Sequence, residues 1–492
     1  MCDVIIIGGG IVGTATARAL SRYKLKTLLV EQASDIGVGA TKANSGILHA
    51  GYDCTPGTQK AALNIEGLAM YAQLAKDLDI PYKVNGSLVI SIDEDGPAQL
   101  QALYERGIAN GVTNMELLTA EETLALEPNL NPNITGSLRA RAAGIISPYE
   151  AAIAFAENAA ENGVEFFLET TVTNIEATQN GSYIVRTRNV NATNPCNANP
   201  ASNICKPLQS RVIINAAGLE SAKIHNYVSP RKEKIIPQRG QYILLDNTLR
   251  DLVKHTVFQL PTHLGKGVLV VPTVDGNIML GPTAEPPQDS TTIATTASGL
   301  QETLDKALKI LKHIPLRERI TAFSGIRARH DSRDFIIEEV LPGFVNAMGI
   351  DSPGLTAAPA IAERLAAIVT SRLQPTHNTN FNPIRVGIQP FSKLSTSQQA
   401  ALIKQNPAYG RIICRCETIT EAEIIDAIRR PVGARNLNAL KRRTRAQMGR
   451  CQGGFCLTKL IELLSRELGI PESAVTLGGA GSEIVPLLRS GV

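Results

Sequence analysis

The chain has 492 residues, about three times a typical domain, so one small core cannot account for it and two or three domains are expected. Hydrophobic residues make up 43% and charged residues 19%, with mean hydropathy near zero, which excludes a disordered chain and one buried in a membrane. The formal charge is +4, there is no Trp and aromatics are only 4%, too little stacking material for a nucleic-acid-binding protein.

The basic excess is local: residues 411 to 450 hold ten Lys or Arg against four Asp or Glu, leaving the remainder slightly acidic. The apolar run Val4 to Ile7 lies so near the first residue that no signal or transit peptide is expected. No apolar run reaches a spanning length. A cytoplasmic location is therefore expected, with peripheral membrane attachment left open. Reduced thiols follow for the eight cysteines, which are too few for a disulfide scaffold in so long a chain.

In chain order, CDVIIIGGG, IVGTATARALSRY and KTLLVE read as strand, helix and strand, one βαβ unit over residues 1 to 31. A helical pattern runs from Pro56 to Asp79, then KVNGSLVISID and PAQLQALYERGIANG read as strand and helix. Thr119 with Glu122 three residues on forms a capping box for a helix that ends before Pro128. SPYEAAIAFAENAAENG is a helix stopped by Gly163, followed by strands in FFLETTVTNIEA, SYIVRTR and RVIINAAG. Six asparagines and two prolines between Asn189 and Asn203 predict an exposed hairpin loop, in which Cys196 and Cys205 are incidental. QYILLD, VLVVPT and NIMLG within 235 to 285 predict an antiparallel sheet. A helix near 298 to 313 and strands near 335 to 348 follow. Pro, Asn, Gln and Ser from Arg372 to Arg411 predict a linker to a separate C-terminal domain.

Gly8, Gly10 and Gly13 sit between the first strand and its helix, the context in which GxGxxG marks a dinucleotide site. The turn brings backbone close to a pyrophosphate at a helix N-terminus. Glu31, ending the second strand, is placed to accept from a ribose 2′-hydroxyl, which argues against NADP without separating FAD from NAD. A later helix starting at Gly354 would present its N-terminus to the negative charge of a reduced flavin.

Cys414, Cys416, Cys451 and Cys456 give the spacing C-x-C, x34, C-x4-C. Zinc fingers and ribbons favour two-residue gaps, and neither pair has one. Four thiolates suit a [2Fe-2S] cluster; zinc and a plain group of thiols are the alternatives. Arg415, Lys441, Arg442, Arg443, Arg445 and Arg450 are near in sequence and would offset the cluster's negative charge.

GGGIVG with Glu31, NSGILHAGYD, INAAG, KGVLVVPT, GIRARHDSRDF and GIDSPGLTAAPAIA together resemble the D-amino-acid-oxidase superfamily of FAD enzymes, and within it the glycerol-3-phosphate dehydrogenase/oxidase branch. The likeness covers nearly all of residues 1 to 370. The cysteine pattern is similar to the bacterioferritin-associated-ferredoxin-like [2Fe-2S] domain fused to anaerobic glycerol-3-phosphate dehydrogenases. The resemblance implies an α/β chain: a Rossmann-like FAD-binding domain (1–80, 145–230, 335–371) interleaved with an α+β substrate domain bearing an antiparallel sheet (81–144, 231–334). A linker (372–410) and a small, mainly helical [2Fe-2S] domain (411–492) complete it.

The resemblance implies FAD contacts at Gly8, Gly10, Val12, Gly13, Glu31, Thr41, Ser45, Gly46, Val172, Gly218, Gly349, Gly354, Leu355 and Thr356. His49 is the candidate base for the substrate hydroxyl, since an unperturbed imidazole titrates near neutral pH. Lys266, Arg327 and Ser352 are candidate substrate contacts, the two cations clamping an anion, with Arg329 and His330 behind them. The expected reaction is oxidation of sn-glycerol 3-phosphate, electrons leaving through the cluster to an acceptor protein or to a second flavoprotein or iron-sulfur subunit. A 2-hydroxy acid such as L-2-hydroxyglutarate is the alternative substrate. An electron-transfer subunit serving another enzyme is the alternative role.

Overall fold

Uninterrupted apolar runs at 4–7, 28–30 and 212–214 suit strands covered on both faces. In a computed structural model these runs lie side by side in the middle of one sheet. The structure describes residues 1–190, 206–260, 267–287 and 292–485. Strands Phe344–Met348, Leu208–Asn215, Cys2–Ile7, Thr27–Val30 and Glu165–Phe167 are neighbours in that order and parallel. An antiparallel pair, Thr170–Ala177 and Tyr183–Asn189, extends Leu208–Asn215. Helices Ile11–Ser21, Pro148–Glu161 and Gly354–Leu373 supply one covering layer and share its core. The predicted loop between Asn189 and Asn203 falls almost wholly outside the described residues, as do Cys196 and Cys205.

The second sheet has eight strands, running from Arg319–His330 through Ile235–Leu245, Ile278–Gly281, Leu269–Pro272, Thr256–Gln259, Ser87–Ser91 and Gly136–Ala140 to Met115–Thr119. Every pairing is antiparallel except Thr256–Gln259 against Ser87–Ser91. The chain enters this sheet twice and returns to the first each time, so the alternation of segments follows the interleaving expected. The Thr119–Glu122 capping box forms, each side chain bonding the other residue's backbone N–H.

Two segments differ from expectation. Arg319–His330 is a twelve-residue strand at the sheet edge, although its arginines and glycine give no apolar run. Its long pairing with Ile235–Leu245 holds it. The segment 372–410 is no free tether: Asn378 N–H bonds Arg22 O, Asn382 N–H bonds Asn162 Oδ1, and Arg385 bonds both Glu157 and Leu78 O. It also contains the helix Thr396–Gln405, started by a Ser395–Gln398 capping box. Beyond it, helices Glu421–Arg429, Leu437–Thr444 and Leu457–Leu468 close round a separate apolar core.

Gly67, on the Gln59–Leu78 helix, lies against the backbone of Thr356, and a Cβ there would overlap the Thr356 carbonyl oxygen. Gly67→Ala should therefore cost about 1 to 3 kcal/mol of stability as the helices are pushed apart. A urea-denaturation midpoint equal to the wild type would show that this contact is not tight.

Candidate functional site

At the end of the first strand the chain turns at Gly8, whose φ is +111° and whose Cβ would overlap the Ala216 carbonyl oxygen. Gly13 packs its helix onto that turn, with no room for a Cβ against the Gly8 carbonyl oxygen. Gly10 is different: its backbone is extended, and a Cβ would meet nothing nearer than Thr41 Oγ1 at 3.3 Å. No backbone atom crowds Gly10, and only the Thr41 hydroxyl would have to give by a few tenths of an ångström, so the absent side chain chiefly clears space for a ligand. Thr41 Oγ1 accepts from Ile11 N–H at 3.0 Å, and no side chain caps the rest of that first turn. Val12 is buried in the same turn.

The Glu31 carboxylate bonds Gly9 N–H at 2.6 Å and Ala33 N–H at 2.7 Å. Burial raises its pKa against those backbone bonds. An open cleft is lined by Gly8, Glu31, Thr171, Val172, Ala217 and Lys223, among others. Gly218, at φ +56°, starts the short turn beside Ala217. Donor N–H groups at a glycine turn, an acceptor at the next strand end and a cleft between them fit the adenosine and pyrophosphate of a dinucleotide. Thr171 and Lys223 went unnoticed in the sequence because only the folded strand Thr170–Ala177 and the helix Ser221–Val228 bring them there.

His49 follows a turn in which Gly46, at φ +66°, donates its N–H to Asn44 Oδ1 at 2.8 Å, and Ser45 is half-buried. Its backbone is gripped on both sides: His49 N–H donates to Thr356 Oγ1 at 2.9 Å, and Asn64 Nδ2 donates to His49 O at 2.9 Å. Its Nε2 lies 3.3 Å from Ser352 Oγ, and its ring stands 5.9 Å from that of Phe258. Thr356 is thus occupied by its side chain in placing His49, leaving its backbone, with that of Gly354 and Leu355, at a helix start with no side-chain cap. Lys60 Nζ meets Asp351 Oδ1 at 2.5 Å and ties down the residue before Ser352.

Arg327 reaches this region from the edge strand. Phe323, Gly325 and Arg327 share one face, opposite Tyr242, Gly240 and Gln238. That face presses on the turn before His49, since a Cβ on Gly325 would overlap the Ala43 carbonyl oxygen. The absent side chain of Gly240 makes room for the Arg327 guanidinium, whose Nη1 and Nη2 each lie 3.4 Å from Thr283 O. Among the described residues no carboxylate pairs with it. His330, by contrast, is bound to Glu233 at 3.0 Å and to Ser332 at 2.9 Å, and Gly349 (φ +67°) packs on it. That is a structural use. Lys266 lies outside the described residues.

The four C-terminal cysteines come together as two pairs, with Cys414 in hydrogen-bonding reach of Cys456 and Cys416 of Cys451. Backbone N–H groups of Gln447 and Glu417 point at the Cys414 sulfur, and those of Gly453, Gly454 and Phe455 at Cys451. Thr418, Arg445, Gln447 and Gln452 take left-handed backbone to aim these turns. Among the described residues no three His, Cys, Asp or Glu side chains gather as for a single metal ion. Two pairs of N–H-supported thiolates fit two irons better than one tetrahedral zinc.

The basic run is used otherwise than expected. Arg442 and Arg443 place four hydrogen bonds of 2.6 to 3.2 Å on Asp35, which is 1% exposed. Arg445 pairs with Asp275 and Glu417, and Arg450 with Asp246 and Glu318. These cations dock the domain on both sheets' bodies. Lys441 lies next to Arg442, and together with burial that neighbour lowers its pKa. Arg415 alone of the six is exposed without an ion pair among the described residues.

Residues 3–368 match the family described as FAD dependent oxidoreductase (DAO), and residues 412–466 match the BFD-like [2Fe-2S] binding domain. A "Glycerol 3-phosphate dehydrogenase" of Caloramator mitchellensis is 46% identical over 488 residues, 99% of this chain and 98% of that protein. The structure of "Dithionite reduced L-alpha-Glycerophosphate Oxidase from Mycoplasma pneumoniae with FAD bound" is similar at TM-score 0.72 and 33% identity, covering 78% of this chain and 98% of that one. An "L-2-hydroxyglutarate dehydrogenase, mitochondrial" of Caenorhabditis elegans is 30% identical over 57% of this chain and 63% of that protein. The chain belongs to the FAD dependent oxidoreductase family and carries a C-terminal [2Fe-2S] binding domain. Among the described residues no helix is long and apolar enough to cross a membrane.

Gly10→Ala should leave the melting temperature of the flavin-free protein near wild type while abolishing retention of yellow colour. A fully yellow variant would remove the pyrophosphate from this turn. Asp35→Asn should weaken docking of the C-terminal domain by about 3 to 5 kcal/mol, because two guanidinium groups lose their buried partner. Burial works to raise the Asp35 pKa, but Arg443 and then Arg442 outweigh it and hold it low. The contribution is therefore in place above roughly pH 4, the unfolded value, and fades only as pH falls through the lower folded one. Proteolysis within 374–410 that is no faster in Asp35→Asn would contradict this.

Proposed function

We propose that this FAD-dependent oxidoreductase, working in the cytoplasm, oxidises sn-glycerol 3-phosphate to dihydroxyacetone phosphate and passes the electrons through its own [2Fe-2S] cluster to a protein partner. The relative at 46% identity, named for that substrate, spans both the flavin and the cluster regions of the chain. The observation that carries the reading is that His49 sits against Ser352 and the 354–373 helix start, while Arg327, which no carboxylate pairs among the described residues, shares a strand face with Gly325 against the turn before His49.

Bound FAD supplies the acceptor for the hydride leaving the carbinol carbon. His49 Nε2 takes the hydroxyl proton, its ring oriented by Ser352 and its backbone by Thr356 and Asn64. Arg327 binds the anionic end of the substrate through its fork, and Lys266 keeps the second anion contact given by the sequence. Gly8, Gly10, Gly13, Glu31, Thr41, Ser45, Gly46, Val172, Gly218, Gly349, Gly354 and Leu355 hold the cofactor under this reading. The Tyr242, Phe258 and Phe323 rings keep water from the reacting face.

Anaerobic mixing with sn-glycerol 3-phosphate should bleach the flavin, and L-2-hydroxyglutarate or glycerol should do so far more slowly. Faster bleaching by the hydroxy acid would keep the Arg327 clamp and replace the substrate. No bleaching by any of them would leave an electron-transfer subunit. His49→Ala should slow bleaching by about 10² to 10⁴ with flavin retained, and Arg327→Met should raise the substrate concentration for half-maximal rate by about 10- to 150-fold, the equivalent of a charge-assisted contact.

A further inference from the structure

The cluster site has an inner and an outer edge. Cys414 and Cys456 are each 1% exposed, whereas Cys416 is exposed and Cys451 half-buried. Between Cys451 and Cys456, Phe455 is 75% exposed, a large apolar ring held out in solvent beside the outer pair. Isolated exposed apolar residues are ordinary, but this one, whose N–H supports Cys451, shares the outer cysteine pair with a segment that carries charge without a partner among the described residues. Arg415, between Cys414 and Cys416, and Lys459, one turn beyond Phe455, are exposed and make no ion pair among the described residues. Elsewhere in the domain Arg411, Arg429, Arg445 and Arg450 are each held by a carboxylate. Glu417, the acid nearest in sequence to Cys416, is taken by Arg445. With exposed Glu462 counted, the rim keeps a positive excess.

We propose that this outer edge, centred on Phe455 with Arg415 and Lys459, is the docking site for a small electron-carrier protein that presents acidic groups round an apolar hollow. The proposal rests on the reading that electrons leave through the cluster, and it supplies that route with its exit. The reduced cluster gives one electron to the oxidised centre of the carrier and returns to its oxidised state, with no proton or bond exchanged. The second electron follows in a second encounter. A lipid surface is less favoured: two cations at about 1 kcal/mol each and one ring make a weak membrane anchor. A transient redox complex, in contrast, needs only an interface below about 1,200 Å².

The test uses the anaerobic holoenzyme with glycerol 3-phosphate, and compares oxidised cytochrome b5, an acidic haem protein, with basic cytochrome c and with dichlorophenolindophenol, a dye that needs no docking. Cytochrome b5 should be reduced faster than cytochrome c, with a rate that falls as salt is added. Phe455→Ala and the double change Arg415→Gln/Lys459→Gln should each slow it about tenfold or more, leaving flavin bleaching and dye reduction as in the wild type. Unchanged cytochrome b5 rates in both variants, or preference for cytochrome c, would overturn the proposal. So would sedimentation with phosphatidylserine vesicles that Phe455→Ala abolishes, which would put a membrane on this surface. Substrate that bleaches the flavin while the cluster stays oxidised would overturn the electron route itself, a failure visible before any carrier is added.

Discussion

Asp35 is a carboxylate sealed from water by two guanidinium groups that reach it from the far end of the chain. Buried charge is tolerable only when its partners are in place, so the pair forms when the C-terminal domain is seated and not before. The segment that carries it, from Glu31 to His49, touches every body of the molecule. Glu31 closes the glycine turn, Thr41 takes the first N–H of the following helix, Ala43 abuts the edge strand at Gly325, and His49 lies 3.3 Å from Ser352. Seating the cluster domain and shaping the flavin site are therefore one packing problem.

That coupling explains the use of the basic run. A domain meant to swing between donor and acceptor would keep its contacts weak and polar. Here Arg430 and Arg385 converge on Glu157, which is fully buried, while Arg445 and Arg450 reach carboxylates of the second sheet's body. The strap from Leu373 to the capped helix at 396 lies along the body rather than across solvent. The cysteine domain is thereby held at a fixed place, with Cys416 exposed and Cys451 half-buried. Fixed placement suits electron transfer, which asks for short separation rather than for bond-making geometry.

Local chemistry was legible in the residues. The strand, glycine turn and helix over residues 1 to 31 and the Thr119–Glu122 cap each depend on near neighbours, and each is present as read. What the sequence withheld depends on distant pairing. The strand Arg319–His330 has charges where an apolar run would announce it, and only eleven paired positions with Ile235–Leu245 make it a strand. Asp35 sits among small residues and looks like a solvated acid until Arg442 and Arg443 arrive. The same two arginines resembled counter-charges for the cluster because proximity in sequence was all there was to judge by. That the Thr356 hydroxyl accepts from the His49 backbone N–H could not be read from residues 307 positions apart.

Under the proposed function one chain oxidises its substrate at a flavin and passes the electrons to a cluster in the domain that the Asp35 contact docks. Anaerobic titration with sn-glycerol 3-phosphate, following flavin absorbance and the electron-paramagnetic signal of the cluster in one sample, tests it most directly. The account predicts that about three electrons per chain are taken up, two by the flavin and one by the cluster, with both signals developing together. Complete bleaching of the flavin with a cluster that stays silent until dithionite is added would contradict it.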